Sequence, residues 1–291
     1  MQQQSEQLAA FLAEHEAVAV ISGAGVSTSS GIPDYRDRNG EWKHAKPIQF
    51  PDFVKNIDAR KRYWARSYVG WQRFSRARPN RAHYALAGLE SAGKVDTLIT
   101  QNVDRLHSTA GSRRVIDLHG DLSRVRCLAC KSTFARLDFQ SALKQANADW
   151  HADVFRYKPD GDAELAAHSH EEFRVPGCPE CDGIVKPDVV MFGENVPKER
   201  VGEALSAVDR ADALLVIGSS LMLFSGYRFA RRAAEQNKPI AIINQGHTRA
   251  DDLATLKVEG DCGDVLAAAA SLLSQRTGME SGRLGNGSSR L

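Results

Sequence analysis

Short apolar runs alternate with helical stretches along the chain. Six of these runs are rich in Val, Ile and Leu, and a polar residue or a glycine follows each of them. They span residues 17–22, 95–100, 115–118, 187–192, 213–218 and 239–243. Continuous apolar runs, in contrast to alternating ones, are typical of strands that helices cover on both faces of a parallel sheet. The pattern predicts an α/β fold with a doubly wound parallel sheet.

The residues that follow the predicted strands indicate where a ligand would bind. In open parallel sheets, ligands lie beyond the carboxyl ends of the strands. The residues at these positions are Gly23, Gln101, His119, Gly193, Ser219 and Asn244. We therefore expect the functional site at this edge of the sheet.

Two segments interrupt the strand pattern. Residues 34–90 are rich in Arg and aromatic residues, and residues 121–186 hold four of the five cysteines. We therefore predict a discontinuous Rossmann-like domain over 1–33, 91–120 and 187–275. A helical insertion with a cofactor loop would occupy 34–90 and a smaller inserted zinc-binding module 121–186, and residues 276–291 would form a disordered tail.

Composition and charge exclude several classes of protein. The 291 residues include 38 Lys+Arg and 36 Asp+Glu, a formal net charge of +2, so the overall field favours neither nucleic acid nor an anionic membrane. No apolar run approaches the ~18 to 20 residues of a membrane-spanning helix. The N-terminal stretch carries Glu6, Glu14 and Glu16 and lacks the features of a targeting peptide. We expect a cytoplasmic protein without a membrane partner, and a monomer.

The cysteines form two matching pairs, Cys127-x-x-Cys130 and Cys178-x-x-Cys181. Four thiolates in two such pairs can close a tetrahedral zinc site, which would be structural because it leaves no open position. A redox dithiol and an iron site are the alternatives. The spacer of 47 residues, 131 to 177, exceeds that of a compact zinc ribbon. Histidines in the spacer are expected to be solvated and not to ligate the metal.

A glycine-rich turn follows the first predicted strand. Gly23 and Gly25 allow the backbone N–H groups to approach a pyrophosphate closely at the start of a helix. The match to the dinucleotide fingerprint is imperfect, because Thr28 replaces its third glycine and no acidic residue closes a second strand. A dinucleotide site and a plain strand-to-helix turn both remain open at this point.

Six motifs taken together resemble the sirtuins, the NAD-dependent protein lysine deacylases. They are GAGVSTSSGIPDYR from residue 23, TQNVDRLH at 100–107, DLHGD at 117–121, PDVVMFGE at 187–194, GSS at 218–220 and IINQG at 242–246. The resemblance runs in order from about residue 8 to about 275. The long spacer between the cysteine pairs and the segments 62–71 and 218–229 look most like the class II branch. Tyr35 stands where the family often has Phe.

The resemblance implies a reaction that releases nicotinamide and O-acyl-ADP-ribose. In it, His119 is the general base, a role that suits an imidazole with an ordinary pKa of about 6.5. Asn102 would hold a water or a ribose hydroxyl at the reacting carbon, and Asp104 with the Ile32 backbone would bind the nicotinamide amide. The other cofactor-binding residues implied are Gly23, Ala24, Gly25, Ser27, Asp34, Tyr35, Arg36, Gln101, Gly218, Ser219, Ser220, Asn244, Gln245, Gly246 and Cys262.

Acyl-lysine proteins are the implied partners. The substrate peptide would lie as a strand between the loops 192–194 and 221–224, bound through its main chain. The implied substrate-binding residues are Val190, Phe192, Gly193, Glu194 and Leu221. The same site could instead support mono-ADP-ribosyl transfer, or deacylation of lipoyl, glutaryl or succinyl groups. Tyr63 and Arg66 resemble a pair that holds acidic acyl groups in some sirtuins.

The basic and aromatic segment 60–81 has a second interpretation. Eight Lys and Arg residues interleaved with aromatic residues are also typical of a nucleic-acid surface. Trp64, Tyr68 and Trp71, however, recur at helical spacing. We therefore expect them to form a buried helix face with the arginines solvated opposite, and we expect no nucleic-acid partner.

Overall fold

A computed structural model describes residues 2–43, 47–158, 161–166 and 168–284, with residues 276–284 described by their backbone alone. Its α-helices are α1 (Gln2–Glu14), α2 (Phe50–Lys55), α3 (Ile57–Phe74), α4 (Arg81–Ser91), α5 (Leu106–Thr109), α6 (Arg136–Ala146), α7 (Lys198–Arg210), α8 (Phe224–Glu235) and α9 (Cys262–Leu284). Two 3-10 helices span Ala24–Ser30 and Asp251–Leu253. The strands are β1 (Val18–Ser22), β2 (Val95–Thr100), β3 (Val115–Asp117), β4 (Gly120–Cys127), β5 (Thr133–Ala135), β6 (Val154–Tyr157), β7 (Ala163–Leu165), β8 (Val185–Val189), β9 (Ala213–Ile217), β10 (Ile240–Ile243) and β11 (Leu256–Val258).

A six-stranded parallel sheet forms the centre of the larger lobe. Its strand order is β11-β10-β9-β1-β2-β3, and every neighbouring pair is parallel. Read from β3, this is the doubly wound order of a Rossmann fold, in which the chain reverses its direction of winding between β1 and β9. The predicted fold class is confirmed.

Helices cover both faces of this sheet, because its strands are apolar on both faces. All five residues of β1 are buried. Val18 and Val20 belong to a core with residues of α1, α4 and α9, and Ala19 and Ile21 belong to a second core with residues of α7 and α8. The sheet is therefore buried as the continuous Val, Ile and Leu runs predict.

The smaller lobe contains an antiparallel sheet, ordered β5-β4-β8, and a hairpin of β6 and β7. Its core draws on α2 and α3 from the first insertion and on α6 and β8 from the second. Trp64 of α3 is fully buried there, and its indole N–H donates to the Val185 carbonyl oxygen at 3.1 Å. Two segments distant in sequence thus share one core. The exact bounds of the domains stay a prediction.

One strand prediction was wrong, and one strand of the sheet was not predicted. Residues 187–192 do not form a strand of the parallel sheet: β8 pairs with β4 in the smaller lobe, and the chain leaves it at Val189. The run is apolar because Val190, Met191 and Phe192 line a cavity. The sixth strand of the large sheet is β11, whose three residues are too few to give a periodic signal.

Helix α3 carries the aromatic face that the sequence predicts. Trp64 is fully buried, and Tyr68 and Trp71 are half-buried. The buried guanidinium of Arg136 lies 5.2 Å from the Trp64 ring centre and 5.1 Å from that of Trp71, close enough for cation–π contacts. The expectation that the arginines are all solvated was wrong for Arg66, whose guanidinium is packed against the second insertion.

The last helix corrects the predicted tail. The backbone of α9 stays helical as far as Leu284, so the helix continues through residues 276–284, which the sequence analysis assigns to a disordered tail. The rest of that tail, residues 285–291, lies outside the described residues. Among the described residues, no helix combines the length and the apolar character that crossing a membrane requires.

Candidate functional site

A cavity of about 330 Å³ opens at the carboxyl edge of the parallel sheet, between the two lobes. It lies at the point where the strand order reverses, which is where open α/β sheets bind their ligands. The sequence-predicted residues that line it are Gly23, Ala24, Gly25, Ser27, Ile32, Asp34, Tyr35, Arg36, Gln101, Asn102, Asp104, His119, Val190, Phe192, Gly193, Glu194, Gly218, Ser219, Ser220 and Leu221. Residues from five of the six motifs are thus brought to one place.

The turns after β1 and β9 touch each other at this edge. The Gly25 N–H donates to the Gly218 carbonyl oxygen at 2.8 Å, and the Gly23 N–H donates to the Ile217 carbonyl oxygen at 3.1 Å. A Cβ atom on Gly25 would lie 2.9 Å from the Gly218 oxygen. Gly218 has a φ of +59°, where a side chain is strained. The glycines therefore let the two backbone turns approach each other closely at the edge of the cavity.

Asn102 and Asp104 follow β2 and are joined to the glycine turn. The Asn102 amide Nδ2 donates to the Gly23 carbonyl oxygen and to Ser27 Oγ, both at 3.1 Å. The Ser27 hydroxyl donates in turn to Asp104 Oδ2 at 2.7 Å. Burial raises the pKa of Asp104 from its ordinary value, and the Ser27 hydroxyl and the Leu106 N–H oppose this rise. The two side chains are thus held in fixed positions at the cavity wall.

Gln101 joins the ends of three strands. Its side-chain amide donates to the Ser22 carbonyl oxygen at 3.3 Å and to Ser219 Oγ at 2.8 Å, so it bridges the ends of β1 and β9 from its place after β2. Gly226 of α8 packs against it, since a Cβ atom there would lie 2.5 Å from Gln101 Oε1.

His119 follows β3 and faces the same cavity. Its Nδ1 lies 3.0 Å from the Gln101 carbonyl oxygen, which can only accept, so Nδ1 carries the proton and Nε2 keeps a free lone pair. Burial lowers the pKa of His119 to about 4, although the bond to Gln101 opposes this shift and the charges of Arg200 and Arg228 add to it. The imidazole is therefore a neutral base at neutral pH.

Ser225 is a residue of this site that the sequence analysis missed. Its hydroxyl lies 3.1 Å from His119 Nε2, and because that nitrogen has no proton, the hydroxyl donates to it. In the sequence, Ser225 is a polar residue directly after the apolar stretch Leu221 to Phe224. This change from apolar to polar could have indicated that Ser225 belongs to the site.

An aromatic cluster closes the cavity on the side of the 34–43 loop. Tyr35, Trp42 and Phe192 have ring centres 5.7 to 6.2 Å apart in edge-on arrangements. The Arg36 guanidinium lies 4.2 Å from the Trp42 ring centre. Trp42 was not predicted, because no motif marks it. The loop thereby joins the glycine turn to the predicted substrate-binding segment.

The segment 190–194 is held beside His119 by the smaller lobe. Gly120 begins β4 directly after His119, and a Cβ atom on it would lie 2.2 Å from the Asp188 oxygen, so only glycine lets β8 pair there. The Val190 N–H then donates to the His119 carbonyl oxygen at 2.7 Å. The segment that begins at Val190 therefore starts at the candidate base.

Glu194 lines the cavity, but its carboxylate is engaged within the protein. Lys186 Nζ lies 3.0 Å from Glu194 Oε2, and the Met191 N–H donates to the same oxygen at 3.0 Å. Glu194 therefore fixes the shape of the 191–194 turn.

Four predicted cofactor residues do not line the cavity. They are Asn244, Gln245, Gly246 and Cys262. Arg38 covers part of this region, since the His247 N–H donates to its carbonyl oxygen at 2.9 Å and a Cβ on Gly246 would lie 2.2 Å from that oxygen. Cys262 is buried, and burial raises the pKa of its thiol to about 12, so it is not a nucleophile at neutral pH. Contact of these residues with a cofactor stays a prediction.

The four paired cysteines converge in the smaller lobe. Their sulfur atoms all lie within 4.8 Å of one another, with Cys127 and Cys181 at 3.5 Å and Cys130 and Cys178 at 3.7 Å. A zinc ion with Zn–S bonds of about 2.3 Å sets tetrahedral sulfurs about 3.8 Å apart, so the set fits this ion. His168 and His170 instead contact Glu171 and Asp58. The cluster fits a closed, structural zinc site.

Comparison with known proteins agrees with this arrangement. A model of the Sir2 family matches residues 23–225. NAD-dependent protein deacetylase 2 of Bradyrhizobium diazoefficiens is 53% identical over 263 residues, 90% of this chain and 96% of that protein. The NAD-dependent protein deacetylase of Bordetella bronchiseptica is 56% identical over 260 residues, 89% of this chain and 95% of that protein. The NAD-dependent protein deacylase Sirt4 of Drosophila melanogaster is 46% identical over 259 residues, 88% of this chain and 83% of that protein.

Solved structures give the same result. A Sir2 enzyme structure concerned with mechanism and regulation has a TM-score of 0.75 and 30% identity, and the match covers 95% of this chain and all of that one. A Sir2 bound to a p53 peptide and NAD+ has a TM-score of 0.73 and 29% identity over 94% of this chain and 98% of that one. A doubly wound domain, a four-cysteine module and a cavity between them define the structural class of this protein. The chain belongs to the Sir2 family.

Proposed function

We propose that this member of the Sir2 family is an NAD-dependent protein lysine deacylase that releases nicotinamide and O-acyl-ADP-ribose. The observation that carries the proposal is the neutral imidazole of His119, held in the tautomer whose unprotonated Nε2 accepts from Ser225 in the cavity that Asn102 and Asp104 also line. A general base in a cavity, beside amide and carboxyl groups at fixed positions, is what acyl transfer to a ribose hydroxyl requires.

NAD, when bound, supplies an electrophilic ribose carbon and nicotinamide as the leaving group. The chain's own groups do the rest. The joined glycine turns would lie against the phosphates, since the absence of side chains allows close approach. Asp104 and the Ile32 backbone would hold the carboxamide, and Asn102 would hold a water or a hydroxyl beside the ribose. His119 Nε2, which accepts from Ser225, would accept the proton of a ribose hydroxyl in its place, while the bond from Nδ1–H to the Gln101 carbonyl oxygen keeps the ring oriented.

The acyl-lysine substrate enters between the segments 192–194 and 221–224. Val190, Phe192 and Leu221 present apolar surface to the cavity, which suits an acyl chain and a lysine stem. Related Sir2 enzymes have been solved with an acetylated peptide and with a p53 peptide. A peptide bound through its main chain as a strand would be read only loosely in sequence. The cytoplasmic location and the monomeric state stay predictions.

Product analysis tests the function. Zinc-loaded protein is incubated with NAD and an acetyl-lysine peptide, and the products are identified by mass spectrometry. Deacetylated peptide, nicotinamide and O-acetyl-ADP-ribose are expected in equal amounts, and neither nicotinamide nor O-acetyl-ADP-ribose is expected with the unmodified peptide. ADP-ribose attached to protein, formed in place of O-acetyl-ADP-ribose, would replace this function by mono-ADP-ribosyl transfer. Nicotinamide released equally without an acylated peptide would contradict the proposal.

For the acyl group, we propose that neutral acyl groups are preferred to acidic ones. Arg66 does not line the cavity: its Nε lies 3.7 Å from Asp162 Oδ2 and donates to the Ala163 carbonyl oxygen at 3.1 Å. Asp162 itself lines the cavity and is 3% exposed. A terminal carboxylate would therefore meet another carboxylate beside Tyr63, and Arg66 is already engaged.

Comparison of acetyl, succinyl and glutaryl peptides tests this preference. We expect a faster reaction with the acetyl peptide, and we expect Asp162→Asn to narrow the difference by removing the opposing charge. A succinyl rate equal to or above the acetyl rate, which falls in Arg66→Ala while the acetyl rate is unchanged, would contradict the preference. That result would support the hypothesis that Tyr63 and Arg66 hold acidic acyl groups.

A further inference from the structure

Two histidines outside the cavity lie in the core directly behind it. His83 of α4 is 0% exposed and His107 of α5 is 1% exposed. Their ring centres are 4.7 Å apart and the ring planes are inclined by 54°. Neither residue lines the cavity or belongs to the proposed mechanism. Two adjacent buried imidazoles nevertheless need hydrogen-bond partners, because each ring carries two polar nitrogens.

The hydrogen bonds on each ring determine where its proton lies. The Asn80 backbone N–H donates to His83 Nδ1 at 3.2 Å, so neutral His83 carries its proton on Nε2. The Ser22 hydroxyl donates to Thr100 Oγ1 at 2.9 Å and lies 2.8 Å from His107 Nε2. With the Ser22 proton directed to Thr100, the bond between Ser22 and His107 requires a proton on His107 Nε2, which leaves a lone pair on Nδ1.

Both rings are neutral at ordinary pH. Burial lowers the pKa of His83 to about 4. Burial, and secondarily the neighbouring His83, hold the pKa of His107 well below its ordinary value.

These tautomers leave one donor and one acceptor on neighbouring rings. Among the described residues, His83 Nε2 and His107 Nδ1 are both buried without a hydrogen-bond partner. A buried polar group left unpaired is destabilising, because it has lost its hydrogen bonds to water without gaining new ones. The two groups are complementary, since one carries the proton that the other lacks. A water between the two rings, or a small shift that brings the nitrogens together, would let His83 donate to His107 and would satisfy both groups.

The resulting chain of hydrogen bonds ends at the cavity. Thr100 Oγ1, which accepts from Ser22, also accepts from the Asn102 backbone N–H at 3.1 Å. At its other end, the Asn80 side-chain amide donates to the Val26 carbonyl oxygen at 2.8 Å and to Ser30 Oγ at 2.9 Å. Val26 and Ser30 belong to the 3-10 helix of the glycine turn. This series of hydrogen bonds therefore links the glycine turn to Asn102 through the core.

We propose that His107 is a positioning residue for Asn102, held in its Nε2–H tautomer by His83, and that this polar chain fixes the Asn102 backbone against the glycine turn. The proposal rests on the proposed function only in assigning a catalytic consequence to Asn102. Without the His107 donor, the Ser22 and Thr100 hydroxyls can reorient, and the Asn102 N–H loses its fixed acceptor.

Two matched variants test the role. His107→Leu removes the donor and keeps an apolar side chain of similar size, whereas His107→Gln returns an N–H group near the position of Nε2. We expect His107→Leu to lower kcat for nicotinamide release about tenfold, with the KM for the acetyl peptide unchanged. We expect His107→Gln to recover most of the rate. Equal kcat in the two variants at equal thermal stability would overturn the proposal.

Two NMR measurements test this series of hydrogen bonds independently of enzyme activity. Imidazole ¹⁵N shifts of the wild-type protein should show His107 protonated on Nε2 alone, and amide exchange of Asn102 should be faster in His107→Leu than in His107→Gln. A proton on His107 Nδ1, or Asn102 exchange that is equal in both variants, would contradict the proposal. If no acyl-dependent nicotinamide release is found in the wild-type protein, the proposed function fails while these measurements still decide the hydrogen-bond chain.

Discussion

The two lobes are stabilised in different ways. The larger lobe buries a six-stranded sheet whose central strands β1 and β9 are 0 to 1% exposed, so hydrophobic burial is its main source of stability. The smaller lobe has a three-stranded sheet and a hairpin, and its four cysteine sulfurs lie at the ends of strands β4 and β8 and the turns next to them. A lobe with a small sheet gains much of its order from a metal.

The candidate site depends on both lobes, and therefore on both sources of stability. The larger lobe supplies the glycine turns, Asn102 and His119. The smaller lobe supplies β8, which pairs with β4 from Gly120 onward and thereby fixes the segment after Val189 beside His119. The metal should therefore affect activity through the position of a loop and not through chemistry at the reacting carbon. The following predictions test this division.

Loss of zinc should have the largest effect. Structural zinc sites in small peptides supply about 10 kcal/mol or more of folding free energy. Cys178→Ser should therefore lose the metal and unfold the smaller lobe, with proteolysis beginning within 121–186. Metal content, near-ultraviolet circular dichroism and limited proteolysis measure this.

The matched control is Cys262→Ser, which changes a buried cysteine outside the cluster. It should retain one zinc per chain. A Cys178→Ser protein with full zinc content and unchanged proteolysis would show that the smaller lobe does not need the ion.

Gly218→Ala should destabilise the larger lobe at the point where the two turns meet. Gly218 has a φ of +59°, and a Cβ there would lie 2.4 Å from the Val26 backbone nitrogen. We expect a loss of about 3 kcal/mol or more in the free energy of unfolding, together with weaker NAD binding.

Gly88→Ala provides the comparison for urea denaturation, because Gly88 lies within α4 and its added Cβ would meet no atom within 4 Å. That change should stabilise the protein by up to about 1 kcal/mol. Equal stability of the two alanine variants would contradict the close approach at Gly218.

Acid should destabilise the larger lobe through its buried histidines. The unfolded chain binds a proton on His83 below about pH 6.5, whereas in the folded protein its pKa is about 4. Stability should therefore fall as the pH drops from about 6.5 to about 4, by about 1.4 kcal/mol per pH unit for this residue.

Unfolding measured at several pH values tests this with His83→Gln, which keeps a polar side chain three residues after the Asn80 cap. The variant should show a shallower loss of stability in acid. Parallel curves for wild type and variant would mean that His83 does not titrate as its burial indicates.

Removal of the Ser225 hydroxyl should have the smallest effect. The pKa of His119 of about 4 predicts that kcat/KM stays level from pH 7 down to about 5 and declines only in stronger acid. In Ser225→Ala, the bond that stabilises neutral His119 is lost, so the acid limb should move upward by less than about one pH unit. A wild-type acid limb near pH 6.5 would contradict the assigned protonation state.

The sequence predicts the larger lobe well because its signals are local. Continuous apolar runs mark buried strands, and the polar residues that follow them meet at one edge in any doubly wound sheet. This places Gly23, Asn102, His119 and Ser219 together without knowledge of side-chain packing. The two cysteine pairs likewise indicate a metal site by spacing alone.

The remaining features depend on contacts between distant segments. Residues 187–192 mimic a buried strand, because a cavity wall and a sheet interior both select apolar residues. Ser225, Trp42 and Asp162 reach the cavity only through packing of α8, the 34–43 loop and the β6–β7 hairpin. The partnership of Arg66 with Asp162 and of His83 with His107 joins residues in separate elements, and no spacing rule encodes it.

The most direct test of the central claim is the rate at which zinc-loaded protein deacetylates an acetyl-lysine peptide, measured with and without NAD in wild type and in His119→Ala. We expect deacetylation only with NAD, and a loss of about 100-fold or more in His119→Ala at unchanged zinc content and thermal stability. Deacetylation that proceeds without NAD, or at the wild-type rate in His119→Ala, would contradict a site built around a neutral His119 at the ends of the parallel strands.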